Sequence, residues 1–124
     1  MLLNRSDSPI TVLLVDDDKP TRDYMRACLA TLPVRLVEAE DGQDAMGLLR
    51  AGQCEHVALV VTDLVMPRMG GLELEATLHA DARWADVPVL LVTGQPVPNR
   101  TGPLLGKPFN ARRLTAAVRH LLHP

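Results

Sequence analysis

Aromatic residues are nearly absent from this chain of 124 residues, which has one Trp, one Tyr and one Phe. A hydrophobic core must therefore be built mainly from Leu, Val, Ala and Met. Hydrophobic residues still make up 47% of the chain, which is too large a share for a disordered segment. The length predicts one domain, residues 1–124, with a core from about residue 10 to residue 122.

Cysteine and lysine are also scarce, and the net charge of −2 is small. Cys28 and Cys54 form no disulfide framework, and we interpret them as small buried residues. The charge gives no reason to expect a nucleic-acid partner. Residues 1–9 contain no apolar stretch long enough for a signal peptide or a membrane span, so we expect a cytoplasmic protein without a membrane partner.

Five short apolar segments predict strands. Residues 10–15, 57–61 and 87–92 are nearly unbroken runs rich in β-branched residues, which is typical of strands buried on both faces. Residues 34–39 alternate more, and residues 104–105 lie between a proline and a glycine. Both of these segments therefore suit the edges of a sheet.

Helical patterns lie between the strands and after the last one. Thr21 is a candidate N-cap of the first helix, and Asp41 of the second. The alternation predicts an α/β fold, a doubly wound five-stranded parallel sheet of order 2-1-3-4-5. The apolar stripes are Tyr24, Met25, Cys28, Leu29 and Leu32; Ala45, Leu48 and Leu49; Leu74 and Leu78; and Leu114, Ala117, Val118, Leu121 and Leu122.

Polar side chains follow the predicted strands. Asp16 and Asp17 come after the first strand, Asp63 after the third, Thr93 after the fourth and Lys107 after the fifth. The carboxyl ends of parallel strands meet at one edge of the sheet, where ligands bind. A single strand-end Asp is more often a turn residue. The joint occurrence of all five favours a functional site.

The residue types of this cluster suggest a particular chemistry. Three close carboxylates repel one another unless a cation intervenes, and oxygen ligands favour Mg²⁺, or Mn²⁺ in its place. A carboxylate can also be a nucleophile that forms an aspartyl phosphate. The Lys107 ammonium would then neutralise charge on the phosphoryl group, and the Thr93 hydroxyl would donate to one of its oxygens.

Five motifs occur in order along the chain: VLLVDDD at residues 12–18, EAEDGQDA at 38–45, DLVMPRMGGLEL at 63–74, VTG at 92–94 and KPF at 107–109. Together they resemble the motifs of response-regulator receiver domains, and the resemblance spans residues 10–122. It implies a flavodoxin-like fold and a role as a phosphorylation switch rather than a turnover enzyme.

The resemblance also implies partners and a phosphoacceptor. Asp63 would accept a phosphoryl group from a phosphohistidine on a sensor histidine kinase or a phosphotransfer protein. An unidentified downstream protein would read the result, and the resemblance allows a homodimer. The family often has a cis bond in its Lys-Pro pair, which makes the bond between Lys107 and Pro108 a candidate, since cis bonds are cheap only before proline.

The resemblance implies a metal site and a switch. Asp17, Asp63 and the backbone carbonyl of Val65 would bind Mg²⁺ directly, and Asp16 mainly through water. On activation Thr93 would move toward the phosphoryl group. The lifetime of that group would depend on side chains near the site, among them Val65 and Gln95.

The sequence departs from the family pattern in three places, of which the first two concern output. Residues 94–106, with Pro96, Pro98, Gly102 and Pro103, are too short and too broken for a loop, an average helix and another loop. The fourth helix of the family is therefore predicted to be missing or reduced to a turn. Leu104 occupies the position of the aromatic switch residue. Gly70 replaces a capping Asp or Asn, which a helix tolerates.

Several interpretations stay open. The segment 94–103 is either the signalling element or a neutral deletion in a phosphate sink. The chain is expected to have no output domain, since it ends after the last helix. A pseudo-receiver that no longer takes phosphate is one alternative. A small phosphatase of the haloacid-dehalogenase type is another, because Asp16 and Asp18 form an Asp-x-Asp, although Pro20 and the loop after Asp63 do not fit it.

Overall fold

The computed structural model describes residues 9–123, and within them the chain forms five strands and four helices. The prediction about a signal peptide concerns residues 1–9 and, apart from residue 9, lies outside the described residues. The elements are β1 (Ile10–Val15), α1 (Lys19–Leu29), β2 (Val34–Ala39), α2 (Gly42–Arg50), β3 (Val57–Asp63), α3 (Gly71–His79), β4 (Val89–Thr93), β5 (Leu104–Gly106) and α4 (Ala111–Leu122).

The strands form one parallel sheet in the order β2-β1-β3-β4-β5, as predicted. The two segments predicted as edge strands, β2 and β5, lie at the edges. The side chains of β1, β3 and β4 are almost all buried, because helices cover both faces of these central strands. The predicted fold class is confirmed.

Alternate residues of each strand point into one of two apolar cores. Leu13 and Val15 face the core that α2 and α3 cover, whereas Val12 and Leu14 face the core under α1 and α4. Each fully buried leucine in these cores contributes about 2 kcal/mol relative to an exposed one. Tyr24, predicted as part of the apolar stripe of α1, is instead 46% exposed.

The starts of the first two helices show one correction and one confirmation. Asp18, and not Thr21, caps α1, because its carboxylate accepts a hydrogen bond from the Thr21 N–H at 3.1 Å. Pro20 lies in the first turn of α1, where a missing N–H does no harm. Asp41 caps α2 as predicted and accepts from the Asp44 N–H at 2.9 Å.

Four strand boundaries differ from the sequence prediction, since β4 and β5 each end one residue later than predicted and two larger differences concern the start of β4 and the end of β3. β4 begins at Val89 and not at Val87, because the Val87 N–H donates to the Trp84 carbonyl in a turn and Pro88 has no N–H to offer. β3 extends to Asp63, two residues beyond the predicted end. Asp63 is therefore part of the sheet itself.

The predicted loss of a helix between β4 and β5 is confirmed. Residues 94–103 contain bends and one turn but no helix. The buried Arg100 side chain occupies part of the resulting gap: its guanidinium donates to the Glu75 carboxylate on α3 and to the carbonyls of Val89 and Pro103. Leu104, at the start of β5, is 47% exposed.

Both cysteines are free thiols in half-buried or buried surroundings. Burial raises the pKa of Cys54 to about 11, so its thiol is protonated and unreactive near neutral pH. This supports the structural interpretation of the cysteines. Across residues 9–123, no helix combines the length and apolarity that crossing a bilayer requires.

Candidate functional site

The carboxyl edge of the sheet brings the predicted site residues together. Asp16 and Asp17 directly follow β1, Asp63 ends β3, Thr93 ends β4, and Lys107 follows β5. The neighbouring strands β1, β3, β4 and β5 place these side chains side by side although up to 91 residues separate them in sequence. The convergence predicted from the strand order is therefore present.

Three carboxylates and one ammonium form the centre of the site. Asp16, Asp17 and Asp63 each offer a carboxylate oxygen, and these oxygens lie within 4.8 Å of one another. The Lys107 Nζ lies 3.5 Å from Asp16 Oδ2 and 3.5 Å from Asp63 Oδ2. Asp16 is buried, Asp63 is half-buried and Asp17 is exposed, so the site opens toward solvent on the side of Asp17.

Asp16 is the buried anion of the cluster. Burial raises its pKa above the ordinary value, and the nearby Asp63 carboxylate adds to the rise. The Asp18 N–H, which donates to Asp16 Oδ1 at 2.9 Å, and the Lys107 ammonium oppose this rise. A further cation nearby would therefore stabilise the ionised form of the Asp16 carboxylate.

Thr93 lies beside the cluster but does not contact the carboxylates. Its side chain is buried, and its hydroxyl accepts a hydrogen bond from the Gln95 N–H at 3.1 Å. Its carbonyl accepts from the Lys107 backbone N–H at 3.0 Å. Among the described residues, the Thr93 hydroxyl has no hydrogen bond to Asp63. This backbone hydrogen bond nevertheless links the end of β4 directly to Lys107, the residue that carries the ammonium.

The loop after β3, residues 64–70, is called the phosphorylation loop here, after the phosphoacceptor role that the resemblance implies for Asp63. The Leu64 N–H donates to Asp63 Oδ1 at 2.8 Å, which orients the carboxylate. The Leu64 carbonyl accepts from the Gly71 N–H at 2.9 Å. A Cβ on Gly71 would collide with the Asp63 carbonyl, so α3 begins in close contact with the end of β3. Val65, 60% exposed, lies on this loop.

One ion pair near the site could not be predicted from the sequence. The Arg68 Nε lies 2.7 Å from the Asp41 Oδ2, which joins the phosphorylation loop to the start of α2. Burial alone would raise the pKa of Asp41, but the Arg68 guanidinium and the N–H groups of Asp44 and Gln43 hold it below its usual value. Asp41 was predicted only as a helix cap, and nothing marked Arg68 as its partner.

The donor set of the cluster fits a hard divalent cation. The three side chains offer only carboxylate oxygens, and Mg²⁺ prefers oxygen ligands and retains several waters. The exposed position of Asp17 leaves room for those waters. A thiol or imidazole, which would favour zinc, is absent from this group of side chains in the described part of the chain.

Comparison with known proteins gives the family. A family model described as the response regulator receiver domain matches residues 12–119. Response regulator MprA of Mycolicibacterium vanbaalenii is 33% identical over 122 residues, which cover 92% of this chain and 51% of that protein. Histidine kinase P4 of Formosa agariphila is 28% identical over 120 residues, which cover 90% of this chain and 8% of that protein.

The chain thus spans about half the length of MprA. Among solved structures, the chemotaxis response regulator CheY4 of Vibrio cholerae has a TM-score of 0.79 at 25% identity, with 93% of this chain and 100% of that chain covered. The family match covers all five strands except the first two residues of β1, and it includes every residue of the carboxylate cluster. The chain belongs to the response regulator receiver domain family of two-component signalling.

Proposed function

We propose that this chain is a phosphorylation switch in which Asp63 accepts a phosphoryl group from a phosphohistidine on a sensor histidine kinase or a phosphotransfer protein. The observation that carries the proposal is the placement of Asp63. It ends a buried central strand, its carboxylate is oriented by the Leu64 N–H, and the Lys107 ammonium lies 3.5 Å from its Oδ2. Such a carboxylate is positioned as a nucleophile.

The transfer step forms a P–O bond to a carboxylate oxygen of Asp63 and breaks the N–P bond of the phosphohistidine. The imidazole leaves with the bonding electrons and takes up a proton from solvent. Phosphoryl transfer depends mostly on positioning and charge neutralisation. The Lys107 ammonium is the cation of this chain that faces the phosphoryl oxygens, and the Thr93 hydroxyl is the neighbouring donor.

Asp17, Asp63 and the Val65 carbonyl would hold Mg²⁺ or Mn²⁺ directly, with Asp16 acting mainly through water. Such an ion would supply positive charge to both the carboxylates and the phosphoryl oxygens. Asp16 keeps the Lys107 ammonium beside Asp63, since both carboxylates lie 3.5 Å from the same Nζ.

The first experiment measures the intact mass of the protein after incubation with Mg²⁺ and acetyl phosphate. We expect one added phosphoryl group on the wild type, none without Mg²⁺ and none on Asp63→Ala. Acetyl phosphate is an acyl phosphate that needs no kinase, so the result reports on this chain alone. A wild type that shows no added mass would favour the pseudo-receiver alternative instead.

We place the switch in the cytoplasm and propose that it acts through a protein partner, without nucleic acid or membrane and without turnover of a substrate. A kinase or phosphotransfer protein would be the upstream partner. An unidentified protein would be the downstream partner. We also keep the prediction that the chain can form a homodimer. These statements concern the domain itself, because the chain spans only part of its relatives.

We further propose that residues 94–103 carry the output signal. The segment begins directly after Thr93 and replaces a helix, and Leu104 beside it cannot act as an aromatic switch. Amide hydrogen exchange with and without a phosphate mimic is expected to change within residues 94–103. Identical exchange in this segment in both states would leave the neutral deletion as the better interpretation.

A further inference from the structure

Arg68 adopts a backbone conformation that its residue type disfavours. Its φ is 64°, in the left-handed region, where an L-residue other than glycine costs roughly 1 kcal/mol. A glycine at this position would carry no such penalty. Strain of this kind is retained where the surrounding structure or the function requires it. The stability of the loop therefore does not account for an arginine at position 68.

The side chain of Arg68 makes one ion pair, and its partner is rigid. Arg68 Nε lies 2.7 Å from Asp41 Oδ2, with the Asp41 side chain 3% exposed and the Arg68 side chain 56% exposed. The other Asp41 oxygen accepts from the Asp44 N–H in the cap of α2. Because the Asp41 carboxylate is buried, losing the guanidinium would leave its charge uncompensated and would lower stability. The pair therefore both compensates the buried charge and joins the loop to α2.

Two further contacts join the same part of the loop to α2. The Gly42 N–H donates to the Met69 carbonyl at 2.9 Å. The Met69 side chain fills the space that a Cβ on Gly42 would need. Residues 68 and 69 are therefore both fastened to the start of α2, whereas the exposed Val65 lies only three residues earlier, between Asp63 and this attachment.

We propose that Arg68 is a positioning residue, whose ion pair with Asp41 holds the phosphorylation loop in the conformation that offers the Val65 carbonyl to a divalent cation. The proposal rests on the metal-dependent function proposed above. It extends that function to a residue that does not touch the cluster of Asp16, Asp17 and Asp63.

A purely structural role for Arg68 makes a different prediction. If the guanidinium only neutralises the buried Asp41 charge, its removal should lower stability and leave metal affinity unchanged. If it also positions the loop, its removal should lower stability and weaken metal binding as well. Supporting residues around metal sites commonly change affinity by about 10-fold or more when mutated.

The experiment measures the Mg²⁺ dissociation constant by calorimetry, well below the unfolding midpoint, together with that midpoint. For Arg68→Gly we expect about 10-fold weaker Mg²⁺ binding, together with a lower unfolding midpoint because the buried Asp41 charge loses its partner. Asp41→Asn should weaken binding similarly. The double variant should bind no more weakly than either single variant, because both changes remove one interaction.

His56→Gly is the matched control, since His56 also has a left-handed φ, of 56°. It precedes β3 and therefore lies at the amino ends of the strands, opposite the carboxylate cluster. This variant should bind Mg²⁺ like the wild type. Wild-type affinity in Arg68→Gly, or additive losses in the double variant, would overturn the role of Arg68 and leave the proposed function intact. A wild type that does not bind Mg²⁺ would contradict the proposed function itself, and the role of Arg68 with it.

Discussion

Replacing Asp63 by Asn is expected to abolish phosphoryl acceptance and, without metal, to raise the thermal unfolding midpoint of the protein. The neutral amide is not a nucleophile of comparable strength, so no aspartyl phosphate can form at this position. The same change removes one of three carboxylates whose oxygens lie within 4.8 Å of one another. Asp63→Asn should therefore lose phosphoryl acceptance but gain thermal stability.

The stability effect comes from charge repulsion that one ammonium only partly offsets. Lys107 Nζ lies 3.5 Å from both Asp16 and Asp63, so it remains paired with Asp16 in the variant. An Asn oxygen can still accept from the Leu64 N–H. Two like charges about 4 Å apart near a protein surface repel by about 4 kcal/mol, and the lost attraction between Asp63 and Lys107 cancels most of this, so the net gain should be about 1 kcal/mol.

Thermal unfolding of both proteins in a chelator and in saturating Mg²⁺ measures this effect. The variant should unfold at the higher temperature in the chelator. Metal should raise the midpoint of the wild type more, because a ligand at 100 times its dissociation constant adds about 2.7 kcal/mol. Asp23→Asn, on the exposed side of α1, should unfold like the wild type in both solutions. A metal-free Asp63→Asn variant that is less stable than the wild type would contradict the expected repulsion among the three carboxylates.

Replacing Arg100 by Ala is expected to destabilise the protein more than any other exchange on the loop between β4 and β5. Its side chain is 8% exposed and donates to Glu75 Oε1 and to the carbonyls of Val89 and Pro103. Removing one partner of a buried charge pair leaves the other partner and the acceptors unsatisfied, which costs about 3 kcal/mol. The guanidinium links α3, β4 and the loop in place of a helix.

Urea unfolding of Arg100→Ala and Glu75→Ala measures the contribution of this pair. Both variants should have lower midpoints, and the double variant should lose less than the two losses added together, because the residues act on each other. Lys19→Ala is the control, since its ion pair with Asp23 is exposed and its loss should leave the midpoint nearly unchanged. An Arg100→Ala variant as stable as the control would show that the loop needs no anchor.

Most of the fold could be predicted from the sequence because its signals are local or follow from sheet geometry. Apolar runs mark the central strands, and the meeting of strand ends brings Asp16, Asp63 and Lys107 together. The missing helix could be predicted as well, because residues 94–106 are too few and too rich in proline. These inferences depend on chain length and backbone chemistry, which the sequence states directly.

Long-range polar pairs could not be predicted in the same way. Arg100 and Glu75 are 25 residues apart, and Arg68 and Asp41 are 27 residues apart. An arginine on the surface and an arginine in a buried pair have the same local sequence signal. Only the packing of α2 and α3 against the sheet decides which partner each guanidinium meets. The prediction that Thr21 caps α1 was wrong for a simpler reason, because Asp18 and Thr21 are both good capping residues.

The structure separates the two parts of a switch. The proposed input site holds carboxylates, a hydroxyl and an ammonium at the carboxyl edge of the sheet. The output side differs, because an arginine-anchored loop stands where a helix would pack. We therefore expect that partners of this chain contact a surface different from that of relatives with a complete set of helices.

The central claim is that Asp63 itself carries the phosphoryl group. The most direct test is to phosphorylate the protein with acetyl phosphate and Mg²⁺, reduce the aspartyl phosphate with borohydride and map the peptides by tandem mass spectrometry. Reduction converts a phosphorylated aspartate to homoserine, which marks its position permanently. We predict homoserine at position 63 and at neither position 16 nor position 17. Homoserine at another aspartate, with position 63 unchanged, would contradict the assignment.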